Sequence, residues 1–196
     1  MGLVRMLVFG DDDEPVVYPR LKRLEFSKHT DIGKVNTVRM DESVVPFPEL
    51  RYLKWVGCYG FEDDTLFRAN IDKLEYLNID FSAELLDMLQ KADIFGNGRA
   101  SEIGCITANI IYNNHNAVNL DSCADHIANL ISPKTRVVRT SLLFLHSNVA
   151  TITSKSPYTG NITVLTLKSI ALSLLQMIEI IQSMPQMTDL LCVVNS

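Results

Sequence analysis

Large apolar residues recur along the chain in one short phrase, Leu-x-x-Leu-x-Leu, in which any large apolar residue can stand in place of Leu. The stretches PELRYLKW, which begins at Pro48, and DKLEYLNI, which begins at Asp72, show the phrase most clearly. The segments that fit have these residues at the first, fourth and sixth positions: Leu3, Met6, Val8; Leu21, Leu24, Phe26; Leu50, Leu53, Trp55; Leu74, Leu77, Ile79; Ile103, Ile106, Ala108; Ile162, Leu165, Leu167; Met187, Leu190, Cys192. One more unit is expected between Val137 and His146, in a register that the pattern leaves open. A phrase that returns every 20 to 30 residues or so is typical of leucine-rich repeats.

Each phrase predicts a short β-strand, and successive phrases predict neighbouring parallel strands. We number the residues of a phrase as template positions 1 to 6, with position 7 immediately after. Positions 1, 4 and 6 are expected to face a shared core, which places Leu24, Leu53 and Leu77 on neighbouring strands. Positions 3, 5 and 7 are expected to face the other side of the sheet. The alternative interpretation is an ordinary α/β domain with Leu-rich strands.

The segments between the phrases predict helices. Residues 82–93 begin with Ser82, a favourable N-cap, and place Leu85, Leu86 and Leu89 on one face. Residues 121–132 carry a capping-box pattern that starts at Ser122, and a proline follows the segment.

Residues 169–184 are strongly apolar and predict a third helix. The segment is too short to span a bilayer, so we expect it to be a return helix with its apolar stripe buried. The stripe consists of Leu174, Leu175, Ile178 and Ile181.

The stretch FPELRYLKWVGCYGFEDDTLFRANIDKLEYLNIDF (residues 47–81), together with YPRLKRLEF, resembles the irregular leucine-rich repeats of fungal proteins, some of which are joined to an F-box. The resemblance is clear over residues 18–91, looser from residue 159 onward and faint between residues 103 and 156. It implies an α/β leucine-rich-repeat solenoid, with the parallel sheet on the concave face and helices on the convex face. It also implies a protein-binding role, and it carries over no catalytic residues. The substrate-recognition part of an F-box-type ubiquitin ligase is the alternative role, although no F-box module is visible in the sequence.

Composition narrows the class of protein further. Hydrophobic residues make up 47% of the 196 residues and charged residues 21%, which suits a single domain over residues 1–196, either complete or part of a longer solenoid. The net charge of −5 argues against nucleic acid as a partner. Apolar runs are too short for a membrane span, and no signal peptide is recognisable. Four dispersed cysteines without a C-x-x-C pair favour reduced thiols and a cytoplasmic or nuclear location.

The sequence shows no catalytic signature, and we expect a non-enzymatic protein without a cofactor or metal. The four His residues are scattered, and Cys123 and His126 alone are too few ligands for zinc. An α/β hydrolase is a distant alternative, because no Gly-x-Ser-x-Gly motif is present to position a nucleophile.

Surface recognition by a protein partner is therefore the expected function. Template position 3 places Arg23, Tyr52 and Tyr76 on successive strands, and Arg and Tyr are common in binding hot spots. Positions 5 and 7 add polar neighbours on the same face. The candidate partner-binding residues are Arg23, Glu25, Tyr52, Lys54, Tyr76, Asn78 and Asp80. Because no polar cap is recognisable at either end of the repeats, homo-association through open ends is a further expectation.

Overall fold

The computed structural model describes residues 17–26, 47–56, 65–91, 100–110, 119–143, 146–169 and 172–194. Within these ranges the chain has an α/β fold, with one seven-stranded parallel sheet and α-helices between the strands. The strands are β1 (Arg23–Phe26), β2 (Tyr52–Trp55), β3 (Tyr76–Phe81), β4 (Cys105–Ile110), β5 (Val137–Leu143), β6 (Val164–Ser169) and β7 (Asp189–Val194). The helices are α1 (Thr65–Asn70), α2 (Ala83–Lys91), α3 (Leu120–Leu130), α4 (His146–Lys155) and α5 (Leu174–Ser183). The phrase predicted at residues 3–8 lies outside the described residues.

The strands lie in the sheet in the order of the sequence, from β1 to β7. Leu24 is in register with Leu53, and Leu53 is in register with Leu77, so the prediction that these residues lie on neighbouring strands is confirmed. The same template positions stay aligned in the pairs β3–β4 and β6–β7.

One hydrogen-bonding arrangement recurs at every step of this sheet. The position-2 carbonyl of Lys22 accepts bonds from the backbone N–H groups of Arg51 and Tyr52, both at 3.0 Å. The next five position-2 carbonyls accept an equivalent pair of bonds from the following unit, with N···O distances of 2.8–3.3 Å. These carbonyls belong to Arg51, Glu75, Gly104, Arg136 and Thr163. Each described unit is therefore joined to the next in the same way.

The core lies on one face of the sheet, beneath the helices. Template positions 4 and 6 contribute buried side chains such as Leu53, Trp55 and Leu77. Helix α2 packs onto the same cluster, and the Oγ of Ser82 accepts a 3.1 Å bond from the backbone N–H of Leu85. This N-cap and the buried apolar face are as predicted; the buried leucines are Leu85, Leu86 and Leu89.

The structure also gives the register of the unit that the sequence pattern left open. Val137 occupies position 3 and Val138 occupies position 4, opposite Val164 and Leu165 of β6. Positions 1 and 6 of this unit are therefore the buried polar residues Thr135 and Thr140 rather than large apolar residues. The Oγ1 of Thr135 donates to the carbonyl of Ile103 at 2.6 Å and accepts a bond from the backbone N–H of Ser132 at 2.9 Å. These hydrogen bonds allow a hydroxyl to occupy a core position, and they explain why the apolar template does not align here.

The predicted capping box of the second helix is wrong in its position. Helix α3 begins at Leu120, and its N-cap is Asn119, whose side chain accepts bonds from the backbone N–H groups of Asp121 and Ser122. Asn is as good an N-cap as Ser, and Asn119 lies closer to the start of the helix, so it takes the capping role.

The predicted burial of the apolar stripe on the third helix is also wrong. The side chains of the stripe are exposed, with Leu174 and Leu175 retaining 74% and 66% of their accessible surface. Helix α5 instead packs through Ile180, which is buried, and Met177, which is half-buried. No element within the described ranges covers the outer side of α5, so the hydrophobic stripe faces outward.

Candidate protein-binding surface

Three side chains stack across β1, β2 and β3 on the face of the sheet opposite the helices. Arg23 pairs with Tyr52, and Tyr52 pairs with Tyr76, in the register of the strands. The guanidinium carbon of Arg23 lies 4.0 Å from the centroid of the Tyr52 ring. The rings of Tyr52 and Tyr76 are parallel within 2°, with their centroids 4.2 Å apart. We call these three side chains the ladder; their adjacency is as the repeat register predicts.

Glu25 fixes the charged end of the ladder. Its carboxylate contacts the guanidinium of Arg23 and lies 3.6 Å from the Nζ of Lys54 on the neighbouring strand. The hydrogen bond from Arg23 lowers the pKa of Glu25, and the same bond raises the pKa of Arg23. Both groups are therefore charged at neutral pH, and Arg23 is held over the Tyr52 ring in a cation–π contact.

The hydroxyl of Tyr52 is protonated at neutral pH. Partial burial raises the pKa of Tyr52 above its ordinary value, and hydrogen bonding to Tyr76 raises it further. Both rings are half-buried, so each presents one flank to its neighbour and another to the surroundings. The ladder thus presents aromatic surface together with a polar hydroxyl tip on each ring.

A polar cluster continues the surface along β3 and β4. The side-chain amide of Asn109 donates to the Oδ1 of Asp80 at 2.8 Å and to the Oδ1 of Asn78 at 3.2 Å. Asp80 retains only 8% of its accessible surface, so it is less available than its template position suggested. Asn109 bonds to both other members of this cluster, but the sequence analysis did not include it among the site residues. It occupies template position 7 of its unit, directly beside Asp80, so the register of the repeats could have identified it.

The stack ends at Tyr76, because the next residue in its column is the much smaller Cys105. The Nη1 of Arg139, on β5, lies 3.9 Å from the Sγ of Cys105. Burial raises the pKa of the Cys105 thiol in spite of this cation, so the group is a weak nucleophile at neutral pH.

All seven sequence-predicted site residues therefore lie on one face of β1, β2 and β3. Cys123 and His126, considered above as a ligand pair, are instead buried in α3. In the part of the chain that the structure describes, no three His, Cys, Asp or Glu side chains converge as a metal site would require. None of the helices within the same ranges has the length and apolar character needed to cross a membrane. Comparisons of the chain with protein-family models, with curated proteins and with solved structures find no match.

Proposed function

We propose that the protein is a non-catalytic interaction scaffold, built as a leucine-rich-repeat solenoid, that binds a protein partner through the strand face around the ladder. The observation that carries this proposal is the stack of Arg23, Tyr52 and Tyr76 on a face that the helices leave uncovered.

The solenoid proposal is supported by a turn that recurs before the strands. The position-1 N–H donates to the carbonyl three residues earlier in five units, with N···O distances of 2.9–3.2 Å. The donor and acceptor pairs are Leu21 and Tyr18, Leu50 and Phe47, Thr135 and Ser132, Ile162 and Thr159, and Met187 and Met184. A common turn, a common register and a common inter-strand bonding pattern are properties of stacked repeats.

The ladder has the chemical character of a binding hot spot. Tyr and Arg combine a large contact area with polar groups, and they are enriched among residues that dominate interface energies. The stacking and the Glu25 carboxylate already restrict these side chains, which reduces the entropy lost when a partner binds. Lys54 and Glu25 supply charges of both signs beside the rings, so a partner with complementary charges would be oriented on the surface.

Cross-strand stacking of this kind also stabilises a sheet without binding anything, so the experiment must separate the two roles. We suggest quantitative affinity capture from the native cell with the wild-type chain, with Tyr52→Ala/Tyr76→Ala, and with Thr107→Ala/Thr166→Ala. The threonine pair lies on the same face, in position 5 of β4 and β6, outside the ladder. Circular dichroism and thermal unfolding would establish that all three chains are folded.

The proposal predicts proteins that are captured by the wild-type chain and the threonine variant, and lost from the tyrosine variant. A loss of more than about 2 kcal/mol of binding free energy is expected for hot-spot residues, which is roughly 30-fold in the dissociation constant. Capture that is equal for all three folded chains would place the binding surface elsewhere.

A further inference from the structure

The two outermost described strands of the sheet differ in ways that matter for association. Strand β1 is four residues long and carries Arg23 and Glu25, whose charges discourage pairing with another strand. Strand β7 is six residues long, has the sequence DLLCVV and carries one charge, at Asp189. Apart from Asp189 at its start, it lacks the charges, prolines and bulges that usually protect an edge strand. Of the two, β7 is the edge suited to pairing.

The backbone of β7 presents hydrogen-bonding groups on its outer side. Among the described strands β7 pairs with β6 alone, and the N–H of Asp189 donates to the carbonyl of Thr163 at 3.1 Å. Because consecutive residues of a strand direct their backbone groups to opposite sides, the N–H groups of Leu190 and Cys192 point away from β6. No strand within the described ranges bonds to those groups.

The exposed apolar stripe of α5 lies next to this edge in the chain. Leu174, Ile178 and Ile181 follow the spacing of one helical face, and Leu175 flanks them. On the opposite face of the sheet, β7 adds two more exposed apolar side chains, of Leu191 and Val193. Among the described residues, exposed apolar side chains therefore occur both on α5 and on the open face of the outermost strand β7, a clustering that favours an interaction site over scattered exposure.

We propose that a second copy of this chain covers this surface, through antiparallel pairing of β7 with β7 around a two-fold axis perpendicular to the sheet. Such an axis keeps both α5 helices on the same face of the combined sheet, where their stripes can pack against each other. Such a contact is isologous: the same surface of each copy meets its equivalent on the other copy. Association through this surface therefore stops at the dimer.

The sequence of β7 suits such self-pairing. Side chains directly opposite each other in an antiparallel pair lie on the same face. In the two registers centred on Leu191 and on Cys192, Leu191 therefore faces Leu191 or Val193 of the second copy. In both registers Asp189 lies away from its own symmetry mate, so the strand's one charge is not placed against an identical charge. A heterologous partner is not needed to explain the composition of this edge.

The size of the surface also agrees with a dimer. Helix α5 and strand β7 lie within a segment of about 20 residues, and a standard interface uses roughly 20 to 30 residues on each side. The ladder lies on β1, β2 and β3, at the other end of the sheet, so dimerisation would leave it accessible.

Sedimentation equilibrium over a range of concentrations would test the proposal with two interface variants. Leu191→Lys/Val193→Lys places like charges opposite each other in either register of the strand pair. Leu175→Glu/Ile178→Glu places charges in the helix stripe. The matched controls are Val17→Glu and Tyr158→Glu, which alter exposed apolar residues elsewhere on the protein. Because all of these side chains are exposed, circular dichroism should show every variant folded.

We expect the wild-type chain and both controls to be dimers at micromolar concentration. Each interface variant should raise the dimer dissociation constant by at least about 30-fold, as removal of hot-spot contacts does. A wild-type chain that stays monomeric up to about 100 μM would overturn the proposal, because the dissociation free energy would then be below roughly 5.5 kcal/mol. A dimer that survives both interface variants would also overturn it, as would a monomer that uses this surface to capture a different protein.

Discussion

The ring of Tyr52 lies flat against the ring of Tyr76, with 4.2 Å between centroids and 2° between planes. This contact follows directly from the register of β2 and β3, in which the two residues are opposite each other. The distance between neighbouring strands, about 4.8 Å, is close to the spacing at which aromatic rings stack. When two tyrosines occupy the same template position on neighbouring strands, the spacing of the strands therefore brings their rings to stacking distance.

The stack should make the contributions of its two tyrosines to stability non-additive. In a double-mutant cycle of Tyr52→Ala and Tyr76→Ala, we expect a coupling energy of about 0.5–1.5 kcal/mol, the range for aromatic pairs. Urea unfolding of the four chains measures it. The matched control is the cycle of Tyr52→Ala with Val164→Ala, which lies on the same face but on β6, and which should be additive within about 0.5 kcal/mol. Equal coupling in both cycles would show that the stack has no specific energetic role.

A buried threonine should be more important to stability than the repeat template suggests. Thr135→Val keeps the shape of the side chain but removes the hydroxyl that accepts from the N–H of Ser132 and donates to the carbonyl of Ile103. The carbonyl of Ile103 retains its 3.0 Å bond from the Oγ of Ser132, so the N–H of Ser132 is the group that loses its partner. We expect a loss of about 1–3 kcal/mol in the free energy of unfolding. Ile162→Val, at the same template position of the next unit, should cost about 0.5–1.5 kcal/mol through packing alone. Stabilisation by Thr135→Val would contradict the hydrogen-bonding account.

Stability should fall on mild acidification because of His126. Burial lowers the pKa of this imidazole, and the charge of Asp125 only partly opposes the effect. The unfolded chain therefore binds the proton more readily than the folded chain, and the contribution of neutral His126 is complete above about pH 6.5. It is lost as the pH falls from that value through the folded-state pKa. The measurement is urea unfolding of the wild-type chain and of His126→Gln between about pH 7.5 and about pH 5, which extends about one unit above the ordinary imidazole pKa and about 1.5 units below it. If the free energies of unfolding of the wild-type chain and of His126→Gln change in parallel with pH, His126 is not the group responsible.

The thiols should differ sharply in reactivity. Burial raises the pKa of Cys123 to about 12, whereas Cys105 and Cys192 are half-buried. At pH 8.5 the thiolate fraction of Cys123 is then lower by roughly a thousandfold than that of an ordinary thiol. We expect iodoacetamide to label Cys105 and Cys192 first and Cys123 only on unfolding, as followed by peptide mass spectrometry. As a control, the three cysteines should be labelled equally fast in guanidinium chloride. Rapid labelling of Cys123 in the folded chain would contradict its burial.

The strands and their register could be predicted because their signal is local and repeated. Leu24, Leu53 and Leu77 are large apolar residues at one template position, and each unit reinforces the alignment of the next. The unit of β5 could not be aligned, because its core positions hold Thr135 and Thr140 in place of large apolar residues, and the hydroxyl of Thr135 bonds to Ile103, which is distant in the sequence. Helix α4 gave no clear signal either, because its sequence HSNVATITSK is mostly polar and β-branched.

The exposure of the α5 stripe could not be predicted from its composition. Apolar spacing identifies which residues share a face, but it does not say whether another element covers that face. Leu174 and Ile178 would be buried if a further layer packed on α5, and no described element does so. The candidate site was more accessible to sequence analysis, because the ladder depends only on register. The burial of Asp80 depends on Asn109 in the next unit, so it emerges only when neighbouring strands are considered together.

The central claim is that the sheet face around the ladder contacts a protein, and site-specific photo-crosslinking in the native cell tests that contact most directly. A photoreactive amino acid would replace Lys54, which lies beside the ladder on β2, or Tyr158, which is exposed in the connection between α4 and β6. We predict a discrete protein adduct from position 54 that disappears when Tyr76→Ala is added, and no such adduct from position 158. The same adduct from both positions, or no adduct from position 54 in a folded chain, would contradict the claim.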